Sequence, residues 1–127
     1  MDPKDLRFAK THEWIAADGT VGISNHAQEE ITDVVYVELP NAGRAVRAED
    51  PCAVVESVKA AFDIYAPVGG TISAVNDAVT ADPGIVNRSP YEEGWLFRIQ
   101  MSDRSEREKL MTLEQYQTFA AASGTEH

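Results

Sequence analysis

With 127 residues, 43% of them hydrophobic and 25% charged, the chain is large enough for one globular domain with its own hydrophobic core. Twenty-one acidic residues against eleven basic ones give a formal net charge of −10, which argues against binding nucleic acid or anionic membranes, because both require clustered positive charge. A single cysteine excludes an intramolecular disulfide, and without a long apolar segment or an apolar leader we expect neither a membrane span nor secretion.

The pattern predicts many short strands separated by glycine and proline turns. Apolar, β-branched and aromatic residues mark strands at residues 14–15, 21–23, 34–39, 53–57, 61–65, 71–75 and 94–99. The pair Asp18-Gly19 supplies the turn of the first predicted hairpin. A short helix is predicted from Asn25, with Gln28 placed to form a capping box with the Asn25 side chain. Repeated short strands of this kind are typical of a sandwich or a small barrel.

Helices are predicted mainly at the C-terminal end. The polar segment 76–90 is predicted to be a loop, and residues 103–111 and 113–122 have helical composition. Thr112 and Gln115 have the spacing of a second capping box. The last helix carries an apolar stripe, which predicts that it packs on the sheet; the stripe consists of Leu113, Tyr116 and Phe119 or Ala120.

Lys59 lies between two of the predicted strands, in the segment Val58-Lys59-Ala60. A connection this short predicts a β-hairpin with the lysine at or near its tip. By spacing alone such a lysine is most simply a solvated turn residue. Alternation along the first strand puts Val55 and Ser57 on the core face and leaves Val58 exposed beside Lys59, as an apolar handle for a modifying enzyme.

The other chemically reactive residues form no recognised catalytic or metal-binding arrangement. Cys52 has no histidine at a catalytic spacing and is predicted to be a small buried residue. The three histidines are scattered without the spacing of metal ligands, at His12, His26 and His127. Taken in isolation, Glu13 and Asp63 are predicted to be solvated carboxylates.

Several blocks of the sequence match one family in order and spacing. The block Glu56-Ser57-Val58-Lys59-Ala60, followed by Asp63-Ile64-Tyr65-Ala66-Pro67, closely resembles the lipoyl-lysine segment of the glycine cleavage system H protein family. Further blocks resemble the N-terminal, central and C-terminal signatures of that family: Thr11-His12-Glu13-Trp14, Val21-Gly22-Ile23, Ala27-Gln28, Val37-Glu38-Leu39-Pro40, Val86-Asn87, Pro90-Tyr91 and Glu93-Gly94-Trp95-Leu96. The resemblance therefore covers nearly the whole chain. Cys52-Ala53, Phe62 and Glu92 depart from the family pattern.

The resemblance implies a fold, a cofactor and a set of site residues. The fold is a barrel-sandwich hybrid of two small sheets with short helices, mainly C-terminal; it is mainly β with α additions (α+β), in one domain over residues 1–127. The cofactor is lipoate, attached covalently to Lys59. The flanks recognised during attachment are Glu56, Ser57, Val58 and Ala60. The residues of the cleft that receives the aminomethyl-loaded arm are Thr11, Glu13 and Asp63.

The resemblance also implies that the chain is a carrier and not itself an enzyme. In the family, a pyridoxal-phosphate glycine decarboxylase passes an aminomethyl group to the lipoyl arm, an aminomethyltransferase moves the one-carbon unit to tetrahydrofolate, and dihydrolipoamide dehydrogenase reoxidises the dithiol. These three enzymes and the lipoyl-attaching enzymes are the implied partners. We expect a monomer located in the cytoplasm, or in the mitochondrial matrix if the source is eukaryotic.

Three alternatives remain at this point. An H-like protein can serve as a relay that donates lipoyl groups to other carriers, and the sequence does not separate that role from glycine cleavage. A biotin carrier has the same hairpin architecture, but biotin carriers favour methionine beside the lysine, where Val58 and Ala60 stand here. The third alternative is a structural domain without any modification.

Overall fold

The computed structural model describes residues 2–124 and the side chains of residues 2–122. In this part of the chain the strands are β1 (Arg7–Phe8), β2 (Glu13–Ile15), β3 (Thr20–Ile23), β4 (Val34–Glu38), β5 (Ala45–Val46), β6 (Pro51–Ser57), β7 (Ala61–Tyr65), β8 (Gly70–Val75) and β9 (Phe97–Met101). They form a six-stranded sheet of order β1-β2-β3-β9-β8-β5 and a three-stranded sheet of order β4-β6-β7. All pairings are antiparallel.

Short helices connect and cover the two sheets. A 3-10 helix at Pro3–Asp5 precedes the α-helices α1 (Asn25–Ile31), α2 (Asp77–Ala81), α3 (Ile85–Arg88), α4 (Ser105–Glu108) and α5 (Leu113–Gly124). The predicted class, mainly β with helical additions and two small sheets, is confirmed. The helices are spread more evenly than expected, because three of the five α-helices precede β9. Within residues 2–124, no helix has both the length and the apolar composition that crossing a membrane would require.

The main core lies between the two sheets. Ile15, Val21 and Ile23 of the six-stranded sheet belong to the same buried cluster as Val37 and Val55 of the three-stranded sheet. Burying these aliphatic side chains stabilises the fold at roughly 25 cal/mol per Å² of apolar surface removed from water.

A second buried cluster covers the opposite face of β2. It contains Phe8, Trp14 and Tyr116. The indole of Trp14 lies directly on Gly22, where an added Cβ would come within 2.5 Å of the ring, so only glycine fits at this position. The indole N–H donates to the carbonyls of Ile23 (3.0 Å) and Pro90 (3.1 Å), so the ring is fixed by hydrogen bonds as well as by packing.

The N-terminal predictions are largely confirmed. The first hairpin turns at Gly19, whose φ of +90° suits glycine. Helix α1 begins at Asn25 as predicted, but the predicted capping box is wrong. Ser24 is the N-cap, since it has the extended backbone that a cap requires and its hydroxyl accepts from Ala27 N at 3.0 Å. The side chains of Asn25 and Gln28 bond to each other instead.

The prediction of a loop over 76–90 is wrong. This segment contains α2 and α3, which are too short to show helical periodicity in the sequence. Asn76 caps α2 through Ala78 N (3.3 Å), and its amide donates to the carbonyls of Glu93 (2.8 Å) and Trp95 (2.7 Å). These bonds hold the backbone at Glu93 and Trp95. The last strand begins at Phe97 and not at residue 94 as predicted.

The C-terminal helices are partly as predicted. Helix α4 is shorter than the predicted 103–111, because the backbone of Met111 pairs with Phe8 at 2.8 and 3.0 Å. The capping box of Thr112 and Gln115 is confirmed by reciprocal bonds of 3.0 and 3.3 Å. Helix α5 packs through its apolar stripe, with the ring of Tyr116 stacked on that of Phe8 at 4.6 Å between centroids.

Candidate functional site

Strands β6 and β7 form a hairpin with Lys59 at its tip, as the sequence predicts. Glu56 pairs with Ala61 and Val55 pairs with Phe62, which leaves a short turn between the strands. The side chain of Lys59 is exposed. The hairpin therefore presents one amine to the solvent, at the end of the smaller sheet.

Ser57 holds this turn in a defined conformation. Its N–H donates to the carbonyl of Ala60 at 2.8 Å, and its hydroxyl oxygen accepts from the N–H groups of Lys59 (3.2 Å) and Ala60 (3.3 Å). The next residue, Val58, donates its N–H to the carbonyl of Asp33 at 3.2 Å, which ties the tip to the start of β4. Because these bonds satisfy the backbone donors of the turn, the backbone at Lys59 is fixed while its side chain extends into solvent.

The flanking residues alternate between core and solvent as predicted. Val55 and Ser57 are buried, whereas Val58 is 71% exposed. Glu56 is half-buried and Ala60 is exposed. Phe62, which departs from the family pattern, is half-buried opposite Val55 and packs against the main core, so it supports the hairpin from inside.

Glu13 is deeply buried, and the prediction of a solvated carboxylate is wrong for it. The residue is 1% exposed. Glu13 and Ile15 lie two residues apart on β2 and share a face, so the Glu13 side chain enters the space between the sheets, as that of Ile15 does. One carboxylate oxygen accepts from the hydroxyl of Thr11 and the other accepts from the backbone N–H of Tyr65 at 3.0 Å. Burial raises the pKa of the Glu13 carboxyl from 4.5 to about 7, an effect that these two hydrogen bonds partly oppose.

An open groove of about 520 Å³ lies beside this carboxyl. Thr11 and Tyr65, the two hydrogen-bond donors to Glu13, both line it. Its apolar lining comes mainly from Phe8, Pro67, Leu110 and Met111, and the lysines at its border are Lys10 and Lys109. The structure therefore brings Thr11 and Glu13 together at one end of β7.

Asp63 does not join this pair. It is exposed, as the sequence predicts, and it lies on β7 opposite Val54, two residues closer to the tip than Tyr65. Of the three predicted cleft residues, Thr11 and Glu13 are in direct contact. Asp63 lies between this pair and Lys59 along β7.

One cluster of polar side chains has no counterpart among the predictions from the sequence. His12 Nδ1 lies 2.6 Å from the hydroxyl oxygen of Tyr116, and the Ser24 hydroxyl lies 2.7 Å from the same oxygen. The ring of His26 is 5.1 Å from that of His12, so these two histidines are not scattered. Burial, with a further contribution from His26, lowers the pKa of His12. These contacts hold α5 against the start of α1. The only indication of them in the sequence was that Tyr116 belongs to the apolar stripe of the last helix.

In the part of the chain that the structure describes, the cysteine and the possible metal ligands are the other groups to consider. Cys52 is buried as predicted, with its Sγ 3.6 Å from the carbonyl oxygen of Ile64. Burial raises the pKa of this thiol to about 12, so it is not a nucleophile at neutral pH. Among residues 2–124 there is no group of three or more histidine, cysteine or acidic side chains placed to hold a metal ion.

Comparison with known proteins gives a consistent result. The family model for the glycine cleavage H-protein matches residues 6–123. The glycine cleavage system H protein of Deinococcus radiodurans is 58% identical over 104 residues, covering 82% of this chain and 87% of that protein. The protein of the same name from Escherichia coli O139:H28 is 54% identical over 120 residues, covering 91% and 93%.

A solved structure agrees with this assignment at the level of the fold. The crystal structure of a glycine cleavage system H protein from Mycobacterium marinum superposes with a TM-score of 0.83 at 36% identity, covering 96% of this chain and 98% of that one. The chain therefore belongs to the glycine cleavage H-protein family, the lipoyl carriers of the glycine cleavage system.

Proposed function

We propose that Lys59 is the residue that carries the lipoyl group. The observation that supports this most strongly is the pinned hairpin turn, which presents an exposed lysine between two strands of a small sheet. Acylation turns the lysine amine into a neutral amide, which takes the formal net charge from −10 to −11. Lipoate attached to Lys59 would supply a strained cyclic disulfide, a group that can take up the aminomethyl cargo on one sulfur while it is reduced.

The residues around Lys59 have separate roles in this proposal. Ser57 fixes the backbone of the turn, and the small side chain of Ala60 leaves space around the amine. Val58 and Glu56 offer an exposed apolar group and a carboxylate to the lipoyl-attaching enzyme. Recognition of a turn in a fixed conformation lowers the entropy that the enzyme must remove on binding.

We propose further that the loaded arm lies along β7 toward Glu13. Extended lipoyl-lysine is about 14 Å long from Cα to the ring, because about eleven bonds of about 1.5 Å each advance the chain by about 1.25 Å. At about 3.3 Å per residue, Asp63 lies about 13 Å from Lys59 along the strand, within reach of the ring, and Tyr65 at the groove lies about 20 Å away. The sulfur and the aminomethyl group add about four more bonds, or about 5 Å, which brings the amine of the cargo close to Tyr65.

The carboxyls along this path fit the chemistry of the cargo. The aminomethyl group carries a cationic amine, which a carboxylate stabilises by charge and by hydrogen bonding. Asp63 offers an exposed carboxylate on the way, and Thr11 with Glu13 offers a hydroxyl and a buried carboxyl at the far end. A pKa near 7 allows Glu13 to release its proton when a cation binds beside it.

The proposed role requires partner enzymes and no catalysis by the carrier. The partners are glycine decarboxylase, aminomethyltransferase, dihydrolipoamide dehydrogenase and the lipoyl-attaching enzymes, and each must reach the tip of the hairpin. A monomer leaves that tip accessible. The two relatives described above are bacterial, which supports a cytoplasmic location.

The turn itself can be tested with Ser57→Ala. This change removes the oxygen that accepts from Lys59 N and Ala60 N, so we expect a loss of about 1 kcal/mol in the free energy of unfolding. The looser turn should also lower the rate of lipoylation, measured by intact mass over time with a lipoate ligase. Ser102→Ala, which removes an exposed hydroxyl elsewhere, is the control. An unchanged lipoylation rate in Ser57→Ala would show that the turn needs no fixed shape.

The proposed function is tested by comparing the protein before and after lipoylation in a reconstituted glycine cleavage system. We expect release of carbon dioxide from glycine to depend on the lipoylated protein, and the same chain without lipoate to give only the background rate. Equal rates with the two forms would refute a carrier role that depends on lipoate.

A further inference from the structure

Three large hydrophobic side chains are exposed in the described part of the chain, two of them on β4 and one in the turn that carries Lys59. Val58, beside the lysine, is 71% exposed, and Val35 and Tyr36 of β4 are 54% and 47% exposed. The hydrogen bond from Val58 N to the carbonyl of Asp33 brings the tip beside the start of β4. Apolar groups gathered near one functional tip are typical of an interaction site, whereas scattered ones are not.

A β-bulge explains why Val35 and Tyr36 are both exposed. Val34 pairs with Ser57 and Tyr36 pairs with Glu56, so Val35 is the extra residue on β4. The bulge lets Val34 and Val37, three residues apart, both point into the core. Regular alternation would bury one of the two intervening side chains. The local structure therefore turns two adjacent apolar residues outward.

Carboxylates lie among these apolar groups on the outer face of the sheet. One row across the three strands is Tyr36, Glu56 and Ala61, and the next row is Glu38, Val54 and Asp63. Glu38 and Asp63 are exposed and Glu56 is half-buried. No ion pair between described residues involves any of these three carboxylates. Lipoylation would also remove the positive charge of Lys59 from the neighbouring tip.

We propose that this surface, formed by Val35, Tyr36, Val58, Glu38, Glu56 and Asp63 and called here the tip face, is the docking surface for the decarboxylase that loads the arm. The matching surface on that enzyme is an apolar depression bordered by lysine and arginine side chains. The tip face begins beside the attachment point and continues along the outer face of the sheet, so an enzyme that admits the arm comes close to it. The proposal rests on the carrier function proposed above.

The charge on the tip face decides between possible occupants. A second copy of this chain would place carboxylates against carboxylates, and nucleic acid or an anionic membrane would be repelled as well. A basic protein surface gains from both the apolar contact and the electrostatic attraction, and the attraction raises the association rate. We therefore commit to a protein partner with a basic border.

The test measures carbon dioxide release from glycine by purified decarboxylase as a function of the concentration of fully lipoylated carrier. Tyr36→Ala should raise the KM for the carrier about tenfold and leave kcat within about twofold, since an aromatic anchor at an interface is lost while the chemistry is not. Tyr36→Phe retains the ring and should behave like the wild type. Glu38→Gln should raise KM about threefold and weaken its dependence on salt.

The controls separate this proposal from the carrier function. Glu114→Gln removes the same charge from α5, whose main contacts are with β1 and the N-terminal 3-10 helix, so it should leave KM unchanged. Intact mass shows that each variant is lipoylated, and thermal unfolding shows that each is folded. If the variants are lipoylated and active but Tyr36→Ala has the wild-type KM, or if KM does not rise with salt, the docking proposal is wrong and the carrier function stands. If neither the lipoylated wild type nor any lipoylated variant supports carbon dioxide release, the proposed carrier function is wrong.

Discussion

Replacing Lys59 with arginine is expected to abolish carrier activity, reducing carbon dioxide release in the reconstituted system to the rate without carrier. Arginine retains a positive charge and a long side chain, so the exposed tip should keep its structure. A guanidinium stays protonated at neutral pH and has no free electron pair for acylation, so the lipoyl amide cannot form. The loss should therefore appear in kcat and should not be recovered at a higher carrier concentration.

A matched control uses the same substitution at another exposed lysine. Lys4 lies in the N-terminal 3-10 helix, so Lys4→Arg should retain full activity. Circular dichroism and thermal unfolding of both variants should match the wild type. Substantial carbon dioxide release with Lys59→Arg would mean that another group carries the cargo, and the proposed attachment site would be wrong.

The second large effect concerns Glu13 and the pH dependence of stability. Its pKa is about 7 in the folded protein and 4.5 without burial, so the folded state favours the protonated carboxyl. Stability is therefore lost as pH rises from about 4.5 through about 7. This rise in pKa corresponds to a loss of about 3 kcal/mol in the free energy of unfolding above pH 7.

Glu13→Gln removes this dependence with little change in shape. The amide oxygen can accept from Tyr65 N, and the amide NH₂ can donate to the Thr11 hydroxyl oxygen. In denaturant unfolding, we expect the variant to be more stable than the wild type by about 3 kcal/mol at pH 8 and by almost nothing at pH 4.

The control for this titration is Glu114→Gln, which neutralises an exposed carboxylate on α5 and should give no such trend. A stability difference between Glu13→Gln and the wild type that stays constant with pH would show that Glu13 does not titrate in this range. We also expect Glu13→Gln to bind the loaded arm more weakly, because the neutral amide cannot become an anion beside the cationic amine.

The hairpin was predictable from the sequence because its signals are local. Strand composition on both sides of Lys59 and a short connection define the tip, and alternation correctly assigns Val55, Ser57 and Val58 to their faces. The capping box at Thr112 and Gln115 is local in the same way. Spacing alone did not indicate what Lys59 does. The family resemblance predicted that it carries lipoate.

The features that could not be predicted from the sequence depend on contacts between segments that are far apart along the chain. Glu13 is buried because β2 faces β7, whose Tyr65 N–H lies 52 positions away along the chain. Tyr116 meets His12 and Ser24 only because α5 folds back over β1 and β2. The β-bulge that exposes Val35 depends on how β4 pairs with β6, so it cannot be recognised in the sequence of either strand alone.

The attachment of lipoate to Lys59 is tested most directly by intact mass spectrometry of protein produced with lipoate and a lipoate ligase, followed by peptide mapping. We expect one lipoyl group per chain, located on the peptide that contains Lys59, and none on Lys59→Arg. A lipoyl group on a different lysine, or one that persists in Lys59→Arg, would contradict this assignment.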